Sequence, residues 1–161
     1  MEKIIAKAAM LGSWFKDKDL TLATAESCTG GLLSSVLTEV AGSSQYFRGG
    51  IVAYHNDVKE QVLGVQTDDL LCYGAVSSQV AKAMALGVKR LLGADMGISI
   101  TGIAGPGGGS IEKPVGLVYL GLSFGDVLDV RELRLSGMRQ EIRQDTVQQA
   151  LNMIEAQLPK D

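Results

Sequence analysis

Four polar or nucleophilic side chains stand in a row at Glu26-Ser27-Cys28-Thr29, and two glycines, Gly30 and Gly31, follow at once. The six residues before them, Leu20 to Ala25, alternate short apolar and β-branched types as a strand does. The residues after them, Leu32, Leu33, Val36, Leu37 and Val40, have helical spacing. The four therefore sit at a strand-to-helix junction, where free backbone N–H groups at a helix N-terminus favour a phosphate or a developing negative charge. A hydroxyl beside such donors has the makings of a nucleophile with its oxyanion hole next to it. Ser27 serves equally well as a helix cap, and Cys28 is a second candidate nucleophile, although small buried cysteines are usually inert.

What could activate Ser27 follows by elimination. The chain has one histidine, His55, and scattered acids, too few ligands of the usual kind for zinc. The Gly-x-Ser-x-Gly elbow is absent, because Ala25 stands two residues before Ser27. No glycine-rich stretch ends in Gly-Lys-Ser/Thr, and no Gly-x-Gly-x-x-Gly follows the first strand, which argues against a P-loop and a common dinucleotide site. No metal or cofactor is expected. What remains is hydroxyl chemistry assisted by a lysine whose pKa is depressed by burial. Lys59 stands one helical turn beyond His55, after a strand ending at Tyr54, in the crevice region where α/β sheets bind ligands. The plainer readings are a lysine on a solvated helix face and a tyrosine that packs at a strand end.

A second chemical feature is the loop Gly102 to Ser110, nine residues with five glycines and a proline directly after a short buried strand. Such a loop offers many unobstructed amides to an anion or lets a ligand approach the main chain. Lys113 and Arg139 are candidate phosphate partners, Arg139 being near a helix N-terminus. Spacing alone thus points to a phosphorylated ligand and a hydroxyl nucleophile.

The elements that must position these groups read as an alternation of helices and strands. Ile4, Ile5, Ala8, Leu11 and Phe15 share one helical face. Gly50 to Tyr54 is the second strand, with Asn56 as N-cap of a short helix from Asp57 to Leu63 that Gly64 stops. Val80 to Leu92 is an amphipathic helix capped by Ser77 or Ser78, and Met96 to Thr101 a buried strand. Val115 to Phe124 is apolar enough for a strand covered on both faces, and Gly125-Asp126 turns it into Val127 to Leu135. Along that last strand Leu128 and Val130 are even but Leu133 and Leu135 odd, which predicts a bulge near Arg131-Glu132. Ile142 to Leu158 closes the chain with a helix. The expected architecture is a layered α/β/α single domain, residues 1–161, with a mixed sheet and a C-terminal hairpin plus helix.

Composition agrees with this reading. At 161 residues, 46% hydrophobic and 20% charged, the chain has the make-up of an ordinary globular domain, and its net charge of −3 leaves no footprint for nucleic acid. Its apolar runs are too short to cross a membrane. Cys28 and Cys72 have no Cys-x-x-Cys or metal spacing, so a reduced, cytoplasmic setting is expected.

Five motifs carry a resemblance: Ala25-Glu-Ser-Cys-Thr-Gly-Gly31, Gly50-Ile-Val-Ala-Tyr-His-Asn-Asp-Val-Lys59, Gly74-Ala-Val-Ser77, Ser99-Ile-Thr-Gly-Ile-Ala-Gly-Pro-Gly-Gly-Gly-Ser110 and Lys113-Pro-Val-Gly116. In order and spacing they resemble the nicotinamide-nucleotide amidase family, the carboxy-terminal domain of competence/damage-inducible protein CinA, over nearly the whole chain. Because the module starts at Met1, it looks like the free-standing form. The resemblance implies hydrolysis of the carboxamide of nicotinamide mononucleotide to nicotinate mononucleotide and ammonia, in pyridine-nucleotide salvage. It assigns Ser27 as nucleophile, Lys59 as base and Tyr54 as an aid to proton transfer. Thr29, Gly30 and Gly31 would supply oxyanion or substrate contacts; Thr101, Gly102, Gly105 and Gly108 would line the nucleotide, and Arg139 would hold the phosphate. Expected partners are that small molecule and further copies of the chain in a homo-oligomer such as a dimer. Two positions depart from the family pattern: His55 follows the tyrosine in place of serine or threonine, and Met138 precedes Arg139 in place of an acid. A binding or regulatory module that keeps the crevice without turnover is the alternative, and retention of Ser27, Tyr54 and Lys59 together favours the enzyme.

Overall fold

The computed structural model describes residues 1–159. Eleven helices and strands follow one another as α1 (Glu2–Asp17), β1 (Leu22–Glu26), α2 (Leu32–Thr38), β2 (Phe47–Val52), α3 (Asn56–Gln61), α4 (Thr67–Tyr73), α5 (Ser78–Leu92), β3 (Met96–Gly102), β4 (Leu117–Phe124), β5 (Val127–Arg134) and α6 (Arg139–Glu155). The five strands form one sheet in the order β2-β1-β3-β4-β5. β1 runs parallel to both β2 and β3, while β3-β4 and β4-β5 are antiparallel, so the sheet is mixed, as expected.

Two hydrophobic cores, one on each face of the sheet, join it to a layer of helices on either side. Ile4, Leu11 and Phe15 of α1, Leu33 and Val36 of α2, and Ile142, Val147 and Leu151 of α6 pack on Leu22, Ile98, Ile100, Val118 and Leu120. On the opposite face Val80, Met84 and Val88 of α5 pack on Ala23 and Ala25, with Val58 of α3 and Leu70 of α4 at the margin. The side-chain period of two sorts each strand between these layers. In β1, Leu22 belongs to the first core, and Ala23 and Ala25 to the second.

Helix α5 lies close against the sheet. The Ser99 hydroxyl donates to the Ala81 carbonyl of α5 at 2.6 Å. A methyl on Gly121 would drive into that same carbonyl, and one on Gly97 into the carbonyl of Ala85. Small residues at 97, 99 and 121 thus let the helix backbone rest almost directly on β3 and β4.

The predicted bulge is absent: β4 and β5 pair in unbroken register from Leu117↔Arg134 to Phe124↔Val127. The phase switch has another cause. Leu133 lies opposite Val118, on the α1/α6 face, whereas Leu128 and Val130 lie opposite Ser123 and Gly121, on the α5 face. Of these side chains only Leu133 and Leu135 pack against a core; Val130 is half-buried and Leu128 is 42% exposed at this edge of the sheet, so the change of phase needs no extra residue. The two-residue hairpin at Gly125-Asp126 is as expected.

Two local differences lie near the crevice. The cap of α3 is His55, whose Nδ1 accepts from the Asp57 N–H at 3.1 Å, and not Asn56, which is the first helical residue. α4, which has no buried residue, gives no apolar period to read in the sequence. At α5 the choice between two serines falls on Ser77, whose hydroxyl accepts from the Val80 N–H.

Candidate active site

Strand parity aims Ser27. Ala23, Ala25 and Ser27 share the α5 side of β1, while Leu22, Thr24 and Glu26 share the α2 side, so two adjacent polar residues leave the strand end in opposite directions. The Ser27 N–H donates to the Ile100 carbonyl of β3 at 2.9 Å, which extends the ladder one residue past β1 and fixes the backbone of Ser27.

Lys59 of α3 meets that side chain. Its Nζ lies 3.0 Å from Ser27 Oγ and donates to the carbonyls of Ala53 at 2.9 Å and Tyr54 at 3.3 Å. The residue is 1% exposed, and among the described residues no carboxylate lies within ion-pairing distance of it. Burial without a counter-charge disfavours the ammonium and lowers its pKa below the ordinary lysine value. An amine so poised, in hydrogen-bond reach of a serine hydroxyl, can accept its proton. Next door, burial pushes the Cys28 thiol up to about 11, so the thiolate that a cysteine nucleophile needs is scarce near neutrality.

The dyad lies at the base of a cleft of about 270 Å³. Thr101, Gly102, Gly105 and Gly108 line it together with Ser27, Lys59, Tyr54 and Arg139. Tyr54 is 59% exposed at the mouth, and its hydroxyl accepts from Arg139 Nη2 at 3.0 Å. Its contact with the dyad runs through the main-chain carbonyl. Arg139, the first residue of α6, also donates to the Gly105 carbonyl at 2.7 Å and so bridges the two walls, oriented without an acid at Met138. The Thr101 hydroxyl donates to the Ala75 carbonyl, pinning the segment Ala75-Val76 that forms another part of the wall. Among the described residues no carboxylate lines the cleft. Lys113 ties its loop to the Tyr73 carbonyl, outside the cleft, and the exposed His55 ring turns to Asp57.

Thr29, Gly30 and Gly31 are not part of the cleft lining. Thr29 is fully buried, and its hydroxyl donates to Glu26 Oε1 at 2.7 Å. The same carboxylate accepts from the N–H groups of Leu33 and Ser34 at 2.9 and 3.0 Å and from the Ser34 hydroxyl at 2.7 Å. Glu26 therefore occupies the N-terminus of α2, taking the place of a capping side chain that Gly31 lacks. Sequence reasoning gave Glu26 no such task. The signal was present in the parity of β1, which turns residue 26 toward the glycine-capped helix. Asn56, read in the sequence only as a helix cap, and Ala75 and Val76, part of a motif but given no role, also line the cleft.

Comparison with known proteins fits this geometry. The CinA C-terminal domain family matches residues 5–158. A CinA-like protein of Rippkaea orientalis is 63% identical over 116 residues, 72% of this chain and 28% of its own length. One from Trichodesmium erythraeum is 49% identical over 154 residues, 94% of this chain and 36% of its own length. The chain thus spans about a third of the length of these curated relatives. Among solved structures, competence/damage inducible protein CihA from Agrobacterium tumefaciens superposes with a TM-score of 0.93 at 46% identity, covering 95% of this chain and 94% of that one. The competence damage-inducible protein A (ComA) of Klebsiella pneumoniae gives 0.92 at 28% identity, with 96% of each chain covered. The chain belongs to the CinA C-terminal domain family.

Proposed function

We propose that this domain hydrolyses the carboxamide of nicotinamide mononucleotide, releasing ammonia and nicotinate mononucleotide, with Ser27 as nucleophile and Lys59 as general base. The observation that carries the proposal is the buried Lys59 Nζ at 3.0 Å from Ser27 Oγ with, among the described residues, no carboxylate in ion-pairing distance. In the unprotonated state Nζ takes the hydroxyl proton as Oγ bonds to the amide carbon. The resulting ammonium returns that proton to the departing nitrogen, and ammonia leaves an acyl-serine ester. Water, deprotonated by the same amine, then hydrolyses the ester. Oxyanion contact falls to main-chain donors at the cleft floor. Cys28, the residue after the nucleophile, lines the cleft, whereas the first amides of α2 are taken by Glu26. Arg139, at the mouth and at a helix N-terminus, suits the phosphate, and the lack of carboxylates in the lining suits an anion. The Tyr54 hydroxyl serves that end of the substrate, and the loop from Gly102 to Gly108 admits the ribose close to the main chain. A reduced, cytoplasmic setting agrees with two free thiols. Among the described residues no helix is long and apolar enough to cross a membrane.

The test is ammonia release from nicotinamide mononucleotide, with and without chelator, beside Lys59→Ala. Turnover that resists the chelator and vanishes in the variant supports the dyad. Ligand binding by calorimetry without turnover would make the domain a nucleotide-binding module instead.

A further inference from the structure

We infer that Glu26 and Arg143 are positioning residues that grip the turn carrying Ser27 from two sides and so set where its hydroxyl points. The inference rests on the reading of Ser27 as nucleophile. The turn closes on itself through the Gly30 N–H, which donates to the Ser27 carbonyl at 3.0 Å. On one side the Thr29 hydroxyl is held by Glu26, whose carboxylate also binds the first turn of α2. On the other, Arg143 Nη2 donates to the Thr29 carbonyl at 2.8 Å, from one helical turn beyond Arg139. Thr29 is thus fixed at both polar ends, two residues from the nucleophile.

A plain structural duty accounts for less than what is seen. A serine or aspartate at position 31 would cap α2 locally. The chain instead has Gly31 at φ +100° there and supplies the acceptor from the residue that precedes Ser27. One carboxylate then connects the strand end, the turn and the helix, so none of the three shifts without the others. Glu26 is fully buried and, among the described residues, has no cationic partner within ion-pairing distance; hydroxyl and amide donors at the positive end of α2 balance it. Arg143 spends its guanidinium on the turn, and a side chain added at Gly30 would come within 3.7 Å of it. Neither residue lines the cleft. Both act through the placement of Ser27.

The experiment measures how fast an alkyl fluorophosphonate phosphonylates Ser27, a reaction in which Oγ bonds to phosphorus and fluoride leaves, with the site verified by mass spectrometry. Glu26→Gln and Arg143→Gln should label about 10- to 100-fold more slowly than the wild type, the cost of a misplaced reacting atom. Thr29→Ala should fall in the same range, and Thr29→Ser should recover most of the loss. With nicotinamide mononucleotide the same variants should lose kcat and keep KM within about twofold. Asp95→Ala, which removes the bonds to Thr21 at the far end of β1, supplies a stability control. Labelling that tracks melting temperature as it does in Asp95→Ala, or a Thr29→Ser as slow as Thr29→Ala, would overturn the inference. A wild type that labels at Ser27 but releases no ammonia defeats the substrate assignment and leaves the labelling comparison intact. A wild type not labelled at Ser27 defeats both.

Discussion

Two glycine-bearing turns leave the carboxyl ends of neighbouring parallel strands, and they are built to opposite ends. The turn after β1 uses Gly30 at φ +58° and Gly31 at +100°, and the loop after β3 uses Gly105 at +77° and Gly108 at +85°. Backbone freedom is common to both. Surroundings separate them: the first turn is tied to Glu26, Ile100 and Arg143, and the hydroxyl of its threonine is buried. Around the second, Gly107 has no neighbour near its Cβ position, and Ile111 is fully exposed. Glycine therefore does two jobs here, sharpening a bend that other groups then lock and, in the second loop, letting Gly105 and Gly109 pass close to Val115 while Gly107 stays open on the surface.

The largest effect should come from breaking the locked turn's chemistry. Ser27→Ala is expected to lower kcat by about 10⁴-fold or more, with circular dichroism and ligand affinity retained. Lys59→Met should cost about 10²- to 10⁴-fold. Because burial lowers the pKa of Lys59, the wild-type kcat/KM profile should rise as this amine loses its proton and fall as pH drops through that lowered value. The linked stability runs in the same direction. Below the folded-state pKa the protein carries the full cost of a buried ammonium; between that value and the unfolded lysine pKa the cost disappears as pH rises. A profile set by a group titrating at the ordinary lysine value would break the dyad assignment.

On the open side, Arg139→Ala should raise KM for the mononucleotide by about 10- to 100-fold, the worth of a charged hydrogen bond, while leaving KM for the riboside nearly unchanged. The turns should also differ when a methyl is added. Gly31→Ala, at φ +100°, should cost about 1–2 kcal/mol and lower Tm by a few degrees, whereas Gly107→Ala should leave Tm where it is. Smallest of all, Cys28→Ala should keep turnover within about threefold, since a thiol with its pKa pushed up to about 11 offers little thiolate. Loss of activity on blocking Cys28 but not on Ser27→Ala would reverse the assignment of the nucleophile.

Much of this was legible because period and punctuation are local properties. The alternation before Ser27, the hairpin at Gly125-Asp126 and the serine cap of α5 each depend on a few adjacent residues. The five motifs carried the family and placed Ser27 and Lys59 in one crevice. Long-range partners were beyond such a reading. The parity of β1 turns Glu26 toward α2 but does not say that its carboxylate binds amides seven and eight residues on, and nothing near Arg143 names Thr29. The prediction of a bulge that is absent has the same origin. Polarity along β5 was read against one buried face, and the helix that covers the other comes from far up the chain.

The close seat of α5 on the sheet has a consequence for ligand size. The cleft wall at Ala75-Val76 runs straight into Ser77, the cap of α5, and Ala81 in that helix rests over Gly121 and Ser99. A methyl at 121 would meet the Ala81 carbonyl, so the helix that begins at this wall should have to shift. The gauge of the opening is thus set on the far side of the layer, by residues that never meet a ligand. Substitutions at 97, 99 and 121 should therefore change the width of the cleft without touching Ser27 or Lys59.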